Sequence, residues 1–171
     1  MNTQFKAARV ENYRVSDRSA ADIRYLVIHF TANDGDTAKN NADYFAREAP
    51  GVSAHFFVDE KEIWQSVREK DVAWHCGTRG MYFHPYCRNA NSLGIELCSR
   101  KQGGKYYFTP ETVKNARNFV RFLMKKYDIP LANVVRHYDV THKNCPAPFV
   151  EDAAAWQSFK AGLIQLTKEE N

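Results

Sequence analysis

Residues 134–146 hold His137, His142, Lys143 and Cys145 within one strand-to-loop segment, a concentration of reactive side chains that core filling does not require. An imidazole at 137 and a thiolate at 145 can reach one tetrahedral cation if the chain turns between them. Zn²⁺ is the default metal for a mixed nitrogen and sulfur donor set. Two ligands do not complete such a site. The chain must therefore fold so that a distant segment delivers a third.

The 171 residues, 44% of them apolar, suffice for one domain with a sizeable core, and no second module is expected. A net charge of +4, from 24 basic and 20 acidic residues without long blocks of either sign, gives a weak preference for an anionic polymer or surface. Nucleic acid is not expected as a partner. No run approaches the roughly 18 apolar residues of a membrane span, and Met1-Asn2-Thr3-Gln4-Phe5-Lys6 lacks the apolar stretch of a signal peptide. No membrane contact is expected, and synthesis as a soluble cytoplasmic chain is. Of the four cysteines, Cys145 is assigned to metal and Cys98 to the apolar interior. Cys76 and Cys87 bracket a glycine-containing loop. They read as free thiols, or as a pair if the protein meets an oxidising exterior.

Residues 1–22 are polar with scattered apolar anchors and read as an arm laid on the surface of a domain spanning 23–171. Residues 23–30 form a short, nearly continuous apolar run rich in β-branched and aromatic side chains, the pattern of a buried strand ending near His29. Turn chemistry follows, and Thr37 can cap a helix reaching about Glu48, closed by Pro50-Gly51. Strands at 54–58 and 62–67 make a hairpin through Asp59-Glu60-Lys61. Residues 68–92 carry Trp74, His75 and several aromatics without periodicity, and a loop of that length in a compact domain is usually functional. Another strand spans 92–98, and Gly103-Gly104 marks a turn. Thr109-Pro110-Glu111 opens the clearest helix, carrying Val113, Ala116, Val120, Leu123 and Tyr127. A last strand at 134–137 and a helix from Asp152 through Leu166 complete the chain. Strands interleaved with helices around a mixed sheet imply a single α/β or α+β domain.

His29 is the candidate third ligand. A lone strand histidine is ordinarily a core residue satisfied by hydrogen bonds, but with His137 and Cys145 it makes three ligands from separate segments. That is the number a catalytic zinc keeps while leaving a position for water. Glu96, between Ile95 and Leu97, is costly to bury unless it is paired or faces a cleft; otherwise it points to solvent from an edge strand. Lys143 is either an ordinary loop lysine or, beside the ligand loop, a stabiliser of an oxyanion.

The runs Tyr25-Leu26-Val27-Ile28-His29-Phe30-Thr31, Ser53-Ala54-His55-Phe56-Phe57-Val58-Asp59 and Asn91-Ser92-Leu93-Gly94-Ile95-Glu96-Leu97, with Arg136-His137 and Lys143-Asn144-Cys145-Pro146, resemble the type 2 N-acetylmuramoyl-L-alanine amidases. That family includes phage and prophage endolysins, Bacillus-type autolysins and, more distantly, peptidoglycan recognition proteins. The resemblance implies a central mixed β-sheet flanked by helices, with zinc at the floor of a surface groove. It also implies hydrolysis of the amide between N-acetylmuramic acid and L-alanine in peptidoglycan. His29, His137 and Cys145 would hold the zinc, Glu96 would be the acid/base residue and Lys143 would support the charged intermediate. Some relatives have a catalytic tyrosine where this chain has Ala54, so the general-base role rests on Glu96. Cytoplasmic recycling amidases typically have Asp in place of Cys145, which favours the wall-degrading branch.

On the same resemblance His55 lines the groove and touches substrate, with a structural role as the equal alternative. Trp74 and His75 are groove-wall residues for sugar or peptide, or else loop anchors. His142 ranks as a bystander. The expected partner is peptidoglycan, met as a monomer at the cell wall, with release by lysis as the route. A non-catalytic peptidoglycan-binding module and a recycling amidase acting on muropeptides are the alternatives.

Overall fold

The computed structural model describes residues 2–164. The chain opens with β1 (Gln4–Phe5) and β2 (Tyr13–Arg14), then enters β3 (Tyr25–Phe30) and helix α1 (Ala38–Arg47). Strands β4 (Phe56–Val58), β5 (Ile63–Gln65) and β6 (Val72–Ala73) follow, then β7 (Ser92–Leu97) and a small hairpin of β8 (Arg100–Gln102) and β9 (Lys105–Tyr107). Helix α2 (Pro110–Tyr127), strand β10 (Val134–Arg136) and helices α3 (His137–Thr141), α4 (Ala147–Val150) and α5 (Ala153–Ile164) complete it. Six strands form a mixed sheet in the order β1-β5-β4-β7-β3-β10. Within it β4, β7, β3 and β10 are parallel, and β5 runs antiparallel to β4.

Alternation along the central strands divides their side chains between two covered faces, which is why the 23–30 run reads as almost continuously apolar. Leu26 and Ile28 of β3, Leu93, Ile95 and Leu97 of β7, and Phe56 and Val58 of β4 belong to one cluster with Ala116, Phe119, Val120 and Leu123 of α2. Trp156, Phe159 and Leu163 of α5 join it. Phe56 meets Phe119 edge-on, with ring centroids 4.8 Å apart. On the other face Phe57 stacks on Phe45 of α1 at 5.4 Å, and Val27 and Val135 pack with Cys76 and Cys87. That second face also carries His29 and Glu96.

Local signals account for the helix starts. Thr37 Oγ1 accepts the Asn40 N–H at 3.1 Å while Asn40 Oδ1 accepts the Thr37 N–H, a reciprocal cap. Thr109 caps α2 in one direction, its Oγ1 accepting the Thr112 N–H at 3.2 Å, with Pro110 in the first turn.

The opening residues are more than a surface arm. β1 pairs in parallel with β5 at the sheet edge, and β2 pairs with β6. The Arg18 guanidinium donates to the carbonyls of Glu69 (2.7 Å) and Ser92 (2.9 Å). Polar composition hid this, because a two-residue edge strand is held by backbone hydrogen bonds and shows no side-chain period. The 68–92 loop likewise contains β6, and two short strands flank the Gly103-Gly104 turn. His137 opens α3 where a strand end was expected. The last helix matches expectation through Ile164; its predicted end at Leu166 lies outside the described residues. All four cysteines are buried free thiols, so Cys76 and Cys87 follow the unpaired reading.

Asp59 ties this frame to the groove side. Its buried carboxylate accepts the N–H of Ala38 at 2.8 Å, and the N–H groups of Lys61 (2.7 Å) and Glu62 (2.9 Å) in the hairpin turn. Truncation would leave three donors unpaired. Asp59→Ala is expected to lower stability by about 2–4 kcal/mol in urea unfolding of the metal-free protein, with Asp59→Asn recovering only part because its amide nitrogen cannot accept.

Candidate metal centre and groove

The sheet register assembles the site. His29 of β3 lies directly opposite Glu96 of β7, and Arg136 of β10 opposite Ile28, so His137 leaves its strand beside His29. All three residues stand at the carboxyl ends of parallel strands, where α/β sheets open their binding crevices. The chain then makes the single helical turn of α3 and returns through Lys143, which places Cys145 against the same point. The Tyr138 N–H donates to the Cys145 carbonyl at 2.8 Å, pinning the loop back on α3.

One donor atom from each of His29, His137 and Cys145 lies within 4.8 Å of the others, and all three side chains are buried. His29 Nδ1 is 3.6 Å from Cys145 Sγ and 4.0 Å from Glu96 Oε1. The rings of His29 and His137 meet with centroids 4.8 Å apart. Both His137 nitrogens and Glu96 Oε2 are buried without a hydrogen-bond partner. Buried polar atoms are nearly always paired, so orphans gathered at one point mark a place built for a ligand. Two imidazoles and a thiol are a donor set that fits Zn²⁺, and His29, His137 and Cys145 are the residues that would hold it.

Burial dominates the electrostatics. It lowers His29 well below the ordinary histidine range, and lowers His137 to about 4, with the charge of Lys143 adding to both shifts. Both imidazoles are thereby neutral and able to donate lone pairs. The same burial pushes the Cys145 thiol up to about 12, with the Glu96 charge adding to it. Desolvation raises Glu96 to about 8, against the opposing pull of Lys143. A carboxyl that titrates near neutrality can both take and return a proton.

The cluster lies in a groove of about 760 Å³. Trp74 is 36% exposed and lines it, as do Lys143 on the rim and His75. His75 is mostly enclosed: its Nδ1 is 3.0 Å from His29 Nε2 and its Nε2 is 3.1 Å from Ser92 Oγ. His55 corrects the expectation of a substrate contact. It is 0% exposed and absent from the groove lining, its Nδ1 accepts the Gly94 N–H at 3.0 Å, and its Nε2 lies 3.2 Å from the Asp71 carbonyl. A histidine on a hairpin strand reads alike in sequence whether it faces a groove or the interior. His142 sits outside the cluster at the end of α3, stacked between Phe83 and Tyr138.

Asn33, Asp36, Asn40 and Tyr44 also line the groove, which the sequence does not reveal. Thr31-Ala32-Asn33-Asp34-Gly35-Asp36 reads as turn chemistry, and only the fold brings it into the same groove as His29, His137 and Cys145. Asp36 is nevertheless fixed, accepting from Thr31, Asn33 and Asn41 side chains at 2.6–3.1 Å.

A family model described as N-acetylmuramoyl-L-alanine amidase matches residues 19–148. CwlL, an N-acetylmuramoyl-L-alanine amidase of Bacillus licheniformis, is 35% identical over 166 residues, which cover 92% of this chain and 45% of CwlL. The chain thus spans less than half the length of that relative. The catalytic domain of XlyA, an amidase of Bacillus subtilis, superposes with a TM-score of 0.76 at 31% identity, covering 95% of this chain and 99% of that domain. The E. coli amidase AmiD, solved with the substrate anhydro-N-acetylmuramic acid-L-Ala-D-γ-Glu-L-Lys, gives a TM-score of 0.63 at 27% identity over 90% of this chain and 62% of AmiD. The match in sequence spans His29, Glu96 and His137, and the match in structure runs over almost the whole of the XlyA catalytic domain. This chain belongs to the N-acetylmuramoyl-L-alanine amidase family.

Proposed function

We propose that this domain hydrolyses the amide between the lactyl group of N-acetylmuramic acid and L-alanine in peptidoglycan, using zinc held by His29, His137 and Cys145. The observation that carries the reading is the convergence of those three donors within 4.8 Å, beside a carboxyl whose pKa is raised to about 8. The muropeptide bound to AmiD contains the same muramoyl-alanine linkage. The relatives' names support action on the cell wall as a lysin or autolysin. No described helix is long and apolar enough to cross a membrane.

When bound, zinc supplies Lewis acidity, making a water acidic near neutral pH and polarising a carbonyl. The chain's own groups handle the protons and the charge. Glu96 Oε2, buried and unpaired, takes the proton from the attacking water and returns it to the leaving amine of alanine. Lys143 brings a positive charge to the rim of the groove, where the carbonyl oxygen becomes anionic. Trp74 offers an exposed aromatic wall to the glycan or the peptide.

Purified, zinc-loaded protein incubated with peptidoglycan should release new L-alanine amino termini, and a chelator should abolish the release. No release from the zinc-loaded protein would sink the amidase reading. Cys145→Ser should lose zinc and activity together, whereas Glu96→Ala should keep zinc and lose about 10²–10⁴-fold in turnover. Zinc content by atomic absorption, measured beside the rates, separates the two.

Glu96 also makes a prediction about stability. Its folded pKa of about 8 exceeds its ordinary 4.5, so the stability it contributes as a neutral acid is complete below pH 4.5 and is lost as pH rises through 8. In the metal-free protein, Glu96→Gln should remove that decline. It should be more stable than wild type at pH 8 by about 1–3 kcal/mol, less than the whole shift implies because the side chain is 21% exposed. Thermal unfolding at pH 4.5 and pH 8 measures the difference.

A further inference from the structure

His75 and Ser92 form a directed hydrogen-bond chain that ends on His29. The Ser92 hydroxyl has one hydrogen, and it donates that hydrogen to the Arg88 carbonyl at 2.7 Å. Towards His75 Nε2, 3.1 Å away, the same oxygen can therefore only accept. The neighbouring Cys76 Sγ, 3.9 Å from that oxygen, makes its shorter contact with Asn89 Oδ1 at 3.2 Å and leaves the Ser92 hydrogen on the Arg88 carbonyl. His75 Nε2 thus carries the ring hydrogen. A neutral imidazole has one donor and one acceptor, so His75 Nδ1 is left as the acceptor. His29 Nε2, 3.0 Å away, must then be the donor. The remaining nitrogen of His29, Nδ1, is the one that faces Cys145 Sγ at 3.6 Å.

The backbone around His75 is built to hold this ring. Asn89 Oδ1 accepts the N–H groups of both His75 (3.1 Å) and Cys76 (2.8 Å). Gly94 leaves the space that the imidazole occupies: a Cβ there would come within 2.6 Å of His75 Cγ. Any side chain at position 94 would displace the ring from His29.

We propose that His75, oriented by Ser92 and given room by Gly94, is a positioning residue that holds His29 as its Nε2–H tautomer and so directs the Nδ1 lone pair at the metal. The inference rests on reading His29 as a metal ligand. Outer partners of this kind are worth about 10–100-fold in metal affinity.

The tautomers can be read without metal and without mutation. Two-bond ¹H–¹⁵N spectra of the ¹⁵N-labelled, metal-free protein at pH 8 should show His29 and His75 both protonated at Nε2. A hydrogen on His29 Nδ1 would overturn the proposal. Zinc affinity, measured by competition with a chelating dye, gives the second readout. His75→Leu, which removes the acceptor, should weaken zinc about 10–100-fold. His75→Asn, whose side-chain oxygen can stand in for Nδ1, should restore most of that loss. Equal zinc affinity in wild type and a folded His75→Leu would also overturn the proposal, and if that variant does not fold the wild-type spectra still decide. A wild-type protein that binds no zinc would refute the metal reading instead, and is distinguished because the tautomers are recorded on metal-free protein.

Discussion

The parallel pairing of β3 with β7 and β10 is the constraint on which the rest of the site depends. Its register sets His29 against Glu96 and delivers His137 one residue beyond Arg136. Side chains alternate along a strand, so slipping any of these pairings by one residue would send the reactive side chain to the face packed on α2 and α5. The apolar cluster of Leu26, Ile28, Leu93 and Ile95 enforces the register, since those residues would be driven into the groove by the same slip. Core packing on one face therefore holds the chemistry in place on the other.

Enclosure at that spot acts on His29, His137, Cys145 and Glu96 in the same sense, against their charged forms. Both histidines are held neutral, and burial pushes the Cys145 thiol and the Glu96 carboxyl toward their protonated forms, Glu96 only as far as about 8, so that its carboxylate remains within reach near neutral pH. An environment that resists anionic sulfur and oxygen is one in which a divalent cation has a large effect, because it supplies the charge that lets a thiolate form. The lysine on the rim works in the same direction from the solvent side. Its charge opposes the rise at Glu96 and Cys145, and reinforces the neutral state of the imidazoles.

Two histidines show how burial separates similar residues. His55 and His75 both precede or follow strand segments near aromatic neighbours, and both invite a substrate-binding role. His55 faces inward, where the Gly94 N–H and the Asp71 carbonyl satisfy it, and it helps fasten β4 to β7. His75 occupies the gap over Gly94 and reaches His29, so that it both lines the groove and touches a member of the His29, His137 and Cys145 cluster. A glycine in the middle of a buried strand costs stability, and here the close approach of a ring explains it.

The sequence by itself determined the strands and helices that carry strong periodicity or capping, the separation of His137 and Cys145 along one loop, and the acid lodged in an apolar strand. These are local facts: side-chain period, turn residues and caps act over a few neighbouring positions. It also carried the family, because several motifs recur in one order. Only the tertiary structure decided that residues 4–5 complete the sheet, that His55 is interior, that the turn after β3 lines the groove, and that His75 meets His29. Each of those depends on contacts between residues far apart in the chain. A short edge strand, a buried histidine and a glycine-made gap leave no periodic trace, since their partners are chosen by packing and register and not by sequence neighbours.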